Sequence, residues 1–294
     1  MFILNCIRGF CMALADSVPG VSGGTIAFVL GFYDKFIGSL NTLTSKKTSK
    51  DEKKEAFKFL IKLGCGWVLG FLMAVIFITS LFEEHIYEVS SLFVGFIILS
   101  IPIIVKEEKN EIKNKYKNII FSVIGMFVVV LVAYLNSQAS EEGINLSGGM
   151  NFGLMFYVFI AGMIAISAMV LPGISGSTLL LIFGLYAPIM KGIKEILKLN
   201  FESLPYVCTL GVGIIIGILT TIKVINYCLK NHRSQTIYFI LGLMIGSIYA
   251  VFMGPTTVGN EPMDFGSFNI IFFILGAALI FGLEKTKMIL EKKK

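Results

Sequence analysis

Six apolar stretches limit what this chain can become: residues 63–82, 89–105, 119–135, 206–229, 235–254 and 268–283 are each near the ~20 residues that cross a bilayer as a helix. Charge is scarce to match. Asp, Glu, Lys and Arg make up 15% of the 294 residues, where soluble domains carry about 25%. The chain reads as an all-α polytopic membrane protein.

The charges it does carry are sorted by side. Lysines 46, 47, 50, 53, 54, 58 and 62 cluster in 45–62, lysines 106, 109, 113, 115 and 117 in 106–117, and five more follow Leu283. Segments 82–90, 136–150 and 254–267 hold acids but no Lys or Arg. Positive charge marks the cytoplasmic side, so the lysine clusters face inward and the C-terminus is cytoplasmic. The lysines flank spans and are mixed with glutamates, which makes a poor nucleic-acid surface, and no nucleic-acid partner is expected. Cysteines 6, 11, 65, 208 and 228 lie in apolar stretches without metal-ligand spacing and read as small core residues. Neither metal nor cofactor is expected. "ALA" at 13–15 has the form of a signal-peptide cleavage site, but Arg8 lies within the segment instead of before it, and the region has a copy deep in the chain. The segment is therefore read as retained.

That copy organises the molecule. "ADSVPGVSGGTIAFVLGFYDKFI" (15–37) returns as "AMVLPGISGSTLLLIFGLYAPIM" (168–190), aligning Pro19 with Pro172, Gly20 with Gly173, Ser22 with Ser175, Gly23 with Gly176, Thr25 with Thr178, Gly31 with Gly184 and Tyr33 with Tyr186. The likeness continues in order. "LGCGWVLGFL" (63–72) matches "LGVGIIIGIL" (210–219), "VGFIILS" (94–100) matches "LGLMIGS" (241–247), and "NIIFSVIG" (118–125) matches "NIIFFILG" (269–276). Two copies of one unit follow, 1–140 and 150–294, in one integral membrane domain. The first is a hairpin at 2–40 with spans 57–82, 86–105 and 118–136. The second is a hairpin at 151–191 with spans 203–229, 235–254 and 268–290. The acidic turn at 83–88 corresponds to the basic "KNHR" at 230–233, so equivalent turns face opposite sides and the repeats are inverted. Lys191, Lys194 and Lys198 run against this assignment, falling on the outer side. Inverted repeats with interrupted helices near the midplane are a recurrent plan of secondary transporters.

Pro19-Gly20 and Pro172-Gly173 interrupt helices, since proline removes a donor and glycine admits close backbone approach. Each motif reads as one short helix ending, a tight turn, and another beginning. The free N–H groups there, with the hydroxyls of Ser22, Thr25, Ser175, Ser177 and Thr178 and the backbone of Gly23, Gly24 and Gly176, form a candidate anion cradle. Close helix packing at a hinge is the competing explanation. Sequence leaves open whether the hairpins are re-entrant or spanning. Arg8 is a candidate phosphate ligand or a snorkelling interface residue. Asp16 is a candidate for proton coupling or a partner for Arg8. Lys223 is a possible second cation or a topology marker. Tyr33, Asp34 and Lys35 read as the polar end of the second hairpin helix, and His85 and His232 as solvated turn residues.

The first motif, "RGFCMALADSVPGVSGGTIAFVLGFYDKFI" (8–37), and the second, "LPGISGSTLLLIFGLY" (171–186), resemble the bacterial polyprenyl-phosphate transporter family, and the resemblance covers the whole chain. It implies a multi-pass protein of the cytoplasmic membrane that returns undecaprenyl phosphate, the lipid carrier of cell-wall polymer synthesis, from the outer to the inner leaflet. The family's motifs fall on Arg8, Gly9, Asp16, Pro19, Gly20, Ser22, Gly23, Gly24 and Thr25, and on Pro172, Gly173, Ser175, Gly176 and Ser177. Lysine is frequent in the family at the position of Arg8. The implied partners are the lipid-phosphate substrate and membrane lipids. Oligomeric state, energy source and tail-length selectivity are left open.

Two other functions fit parts of this pattern. A small-anion transporter or channel would use the same cradle. A polyprenyl-diphosphate phosphatase would need a histidine beside a serine-bearing site, and both histidines are distant in sequence from the breaks. No enzymatic activity is expected.

Overall fold

The structure is a computed structural model describing residues 2–17, 21–74, 79–137, 152–258 and 260–292. Pro19 and Gly20, residues 75–78 of the first expected span, and 138–151 between the halves lie outside the described residues. Among the described residues every regular element is a helix. The first half contains α1 (Phe2–Asp16), α2 (Gly23–Val29), α3 (Tyr33–Thr44), α4 (Lys50–Met73), α5 (Thr79–Glu107), the single turn α6 (Lys109–Ile112) and α7 (Ile119–Ser137). The second contains α8 (Phe152–Val170), α9 (Gly176–Ile182), α10 (Tyr186–Leu197), α11 (Leu204–Asn231), α12 (Arg233–Met253) and α13 (Ile270–Lys292).

Six helices among the described residues are long and apolar enough to cross a membrane: Lys50–Met73, His85–Glu107, Tyr116–Ser137, Phe152–Val170, Leu204–Asn231 and Arg233–Thr256. The chain is a multi-pass helical membrane protein. The helix that carries the first expected span, 57–82, begins at Lys50 because Ser49 and Glu52 form a capping box. Ser49 Oγ accepts from Glu52 N (3.2 Å), and the Glu52 carboxylate accepts from Ser49 N (2.8 Å), so helix starts within the lysine cluster. In α5, His85 leaves helical geometry (φ −132°, ψ 36°) and kinks the helix where a simple turn is expected.

Each hairpin breaks twice, not once. After the Pro-Gly interruption the chain makes only a seven-residue helix, α2 or α9, before turning again at Gly31 (φ 66°) and Gly184 (φ 64°). Phe32 N donates to Ala27 O (3.0 Å) and Leu185 N to Leu180 O (2.9 Å), the wide hydrogen bond of a left-handed helix end. Glycine is required at both turns because an L side chain disfavours that backbone. Tyr33, Asp34 and Lys35 therefore open α3; they do not close the preceding helix. In the second half α9 and α10 meet at 106°.

Packing repeats between the halves with the register of the sequence repeat. Helix α1 lies on α4 and α8 on α11; α7 lies on α12 and α13 on α5. The last helix of each half thus packs on the other half. Glycines make the closest approaches. A Cβ added at Gly66 would fall inside the envelope of Cys6 O, and one at its counterpart Gly213 inside that of Phe159 O. Gly95 meets Phe273 O just as Gly242 meets Ser122 O. In lipid such contacts replace the hydrophobic effect as the force between helices. Helix α12 is buried along most of its length, through Ile237, Ile240, Leu243, Met244 and Val251, whereas α7 and α13 expose Phe127, Ile274 and Leu279 outward.

Candidate functional site

The residues that follow the first Pro-Gly sequence, Ser22, Gly24, Thr25 and Tyr33, are in direct contact with the second interruption. Ser22 caps α2, its Oγ accepting from Gly24 N (3.1 Å) and donating across to Leu171 O (3.1 Å). Tyr33 OH likewise donates to Val170 O (3.1 Å), and in the reverse direction Gly173 N donates to Thr25 Oγ1 (2.9 Å). Ser22, Thr25 and Tyr33 are each 1% exposed, so these bonds are made away from solvent and lipid. Gly24 sits so close to the other break that an added Cβ would lie 2.9 Å from Val170 O.

Their depth follows from α12. Gly173 (φ 88°) packs on Leu243, where a Cβ would lie 2.6 Å from the carbonyl oxygen. Leu243 is ten residues from either end of Arg233–Met253, about 15 Å each way at 1.5 Å per residue. The meeting point is therefore midway along a membrane-length helix.

The breaks differ in how their donors are used. In the first, the Asp16 carboxylate accepts from Gly23 N (2.7 Å) and from Trp67 Nε1 (3.1 Å). Asp16 is thus held by a backbone amide and an indole, and not by Arg8 two turns earlier. The expected cradle donors Gly23 N and Gly24 N already have acceptors in this conformation. In the second break, Ser175 makes no cap bond and its hydroxyl lies 2.8 Å from that of Ser177. Ser175, Thr178 and Gly173 line a small cavity with Asn136 at the end of α7 and Gly254 at the end of α12.

Arg8 donates to Asn5 Oδ1 (3.3 Å), and its guanidinium lies 4.9 Å from the centroid of the Phe32 ring, at the second turn of the first hairpin. Lys223 projects from the exposed side of α11. Pro172 and Gly176 are buried at the second break, and Ser177 is exposed. Pro19 and Gly20 lie outside the described residues.

Sequence reasoning missed one polar cluster. Arg233 donates to Asp34 (2.6 Å) and, through two nitrogens, to Glu108 (2.5 and 3.1 Å), joining α3 and the end of α5 to α12 around a cavity of about 120 Å3 that also touches Tyr33. Asp34 reads as a helix-end residue and Arg233 as part of a topology marker; their separation in sequence carries no pairing signal. The same holds for Trp67, 51 residues from Asp16. His85 pairs with Glu88 (3.5 Å) and His232 ends α11 beside Tyr227.

Similarity to known proteins extends along nearly the whole chain. The chain is 36% identical to the polyprenyl-phosphate transporter of Staphylococcus aureus (strain NCTC 8325 / PS 47) over 277 residues, 93% of each chain. It is 26% identical to the polyprenyl-phosphate transporter of Vibrio cholerae serotype O1 over 317 aligned positions, covering 97% of this chain and 96% of the relative. No solved structure matches. The family model described as undecaprenyl phosphate translocase-like matches residues 12–268, both interruptions included, and the chain belongs to that family.

Proposed function

We propose that this protein moves undecaprenyl phosphate across the bacterial cytoplasmic membrane from the outer to the inner leaflet, returning the carrier to cell-wall synthesis. The observation that carries the reading is the meeting of two interrupted helices midway along α12. Moving a phosphate through ~30 Å of hydrocarbon is prohibitive unless fixed donors replace its water. Irregular backbone at mid-depth supplies such donors, and only a buried site tolerates it. The halves are inverted repeats with the C-terminus cytoplasmic, and a rearrangement between them exposes the site to one side and then the other.

The phosphate is held by the backbone of Gly23, Gly24 and Gly176 and by the hydroxyls of Ser22, Thr25, Ser175, Ser177 and Thr178, with Arg8 contributing charge. Pro19, Gly20, Pro172 and Gly173 keep the backbone open there. Asp16 already places a carboxylate on Gly23 N. A phosphate oxygen takes that donor as Asp16 leaves it, and a proton on Asp16 releases the amide, which links translocation to proton movement. Lys223, near the inner end of α11, supplies a second positive charge as the phosphate departs.

The test is protein-dependent flipping of a fluorescent short-chain polyprenyl phosphate in proteoliposomes, comparing wild type with Arg8→Ala and with Ser22→Ala/Ser175→Ala. Loss of flipping in folded variants is expected. Flipping at the wild-type rate in both would remove these residues from the site and reduce the interruptions to hinges. A wild type that never flips the lipid, with ions and proton gradients supplied, would overturn the reading itself.

A further inference from the structure

From the interruptions an apolar groove of about 570 Å3 runs along α11 to the α11–α12 junction, with Leu171 and Tyr33 at its inner end and His232 and Gln235 at its mouth. Its lining comes from both halves, Phe121 of α7 together with Val224 of α11 and Phe239 of α12. From Thr220 to Cys228 its floor follows nine residues of helix, a rise of about 12 Å over eight steps.

We propose that this groove binds the phosphate-proximal isoprene units of the lipid substrate while its headgroup occupies the interruptions. The inference rests on the lipid-phosphate reading above and adds a tail site to it. Hydrogen bonding decides the chemistry of the occupant. Ser167 Oγ donates to Met163 O (2.6 Å) and pairs with Thr221 Oγ1 (2.6 Å), and Thr220 Oγ1 donates back to its own helix at Ile216 O and Gly217 O (2.9 Å each). The hydroxyls along the groove are therefore turned to internal partners, which suits a hydrocarbon and not an ion. Contiguity decides which hydrocarbon. Leu171, at the inner end, gives its carbonyl to Ser22, and Tyr33 gives its hydroxyl to Val170. A chain lying there is covalently within reach of a phosphate at the interruptions, and its far end leaves sideways into the bilayer between α7 and α11.

The experiment uses the full chain in proteoliposomes with a polyprenyl phosphate carrying a diazirine in its first isoprene units. A phosphatidic acid with the diazirine at matched depth in its acyl chain serves as the comparison. Val224 is 60% exposed and Ile215, on the opposite side of α11, 59%, so bulk-lipid labelling treats them alike. The polyprenyl probe is expected to label the Val224 and Phe239 peptides well above Ile215, and the phosphatidic acid probe to label Val224 and Ile215 evenly and the less exposed Phe239 more weakly. Val224→Trp, which fills the groove, should cut polyprenyl labelling and translocation about tenfold, in the range of an overpacked site; Ile215→Trp should change neither. Phe239→Ala, which widens the groove instead, provides a second variant should the first fail to fold, and should weaken retention of the polyprenyl probe. Labelling that follows exposure alone, or a folded Val224→Trp protein that translocates like wild type, would overturn the groove while leaving translocation standing. Groove labelling in a wild type that translocates nothing would support the tail site and refute the transport reading.

Discussion

Thr25→Val tests the contact between the interruptions at its most exposed logical point. Valine keeps the shape of threonine and removes the acceptor of Gly173 N–H, in a place where Thr25 is 1% exposed. A buried donor stranded this way costs about 1–3 kcal/mol. With an unfolding entropy near 2.1 cal/mol/K per residue, a chain of 294 residues should lose roughly 2–5 °C of melting temperature. Thermal unfolding in detergent measures that shift, and hydrogen exchange of the peptide holding Gly173 localises it. Thr25→Ser keeps the acceptor and deletes a methyl, so it should lower the melting temperature by its lost packing while leaving the Gly173 amide protected. A valine variant that melts with the wild type and protects Gly173 equally well would refute the inter-half bond.

Three further expectations concern other parts of the fold. Gly66→Ala should force α1 from α4 and cost about 1–3 kcal/mol or more through overpacking, whereas Gly64→Ala, which meets open space, should be neutral or stabilise by up to ~1 kcal/mol; detergent melting curves separate the two. Trp67 is the only tryptophan in the chain, so Asp16→Asn should shift its fluorescence by weakening the 3.1 Å bond, and an unchanged emission spectrum would argue against that contact. Asp264, in the loop before α13, accepts from Ser267 N and Oγ and from Gly266 N, which hold its carboxyl below the usual carboxylate range. Because the folded value is the lower one, the turn's added stability is present above the ordinary aspartate range and is lost as pH falls through the depressed value; exchange at Gly266 and Ser267 should rise there, and Asp264→Asn should remove most of the pH dependence.

Much of the architecture is legible in the sequence because hydrophobic length and repetition are local properties. The expected spans 118–136 and 235–254 lie within Tyr116–Ser137 and Arg233–Thr256, since apolar runs bounded by charge leave little freedom. The matched segments "LGCGWVLGFL" and "LGVGIIIGIL" place Gly66 and Gly213 at equivalent helix crossings. What escapes is of two kinds. Gly31 and Gly184 are visible as repeat identities, but an isolated glycine in an apolar run does not announce a left-handed helix end; its recurrence before an aromatic, as "GFY" and "GLY", is the signal that could have found it. The pairings Asp16–Trp67, Thr25–Gly173 and Arg233–Glu108 depend on the tertiary arrangement, and no spacing rule reaches across it.

The exchange of last helices between the halves has a consequence for biosynthesis. Gly95 of α5 waits for Phe273 of α13, about 180 residues later in the sequence. At 5–20 residues per second that interval is roughly ten to forty seconds. During it α5 sits in the membrane with its glycine face open to lipid or to provisional neighbours, while α7 is also made before its partner α12. Neither half can finish folding by itself, and a helix of the second half, α13, is the one that closes the first.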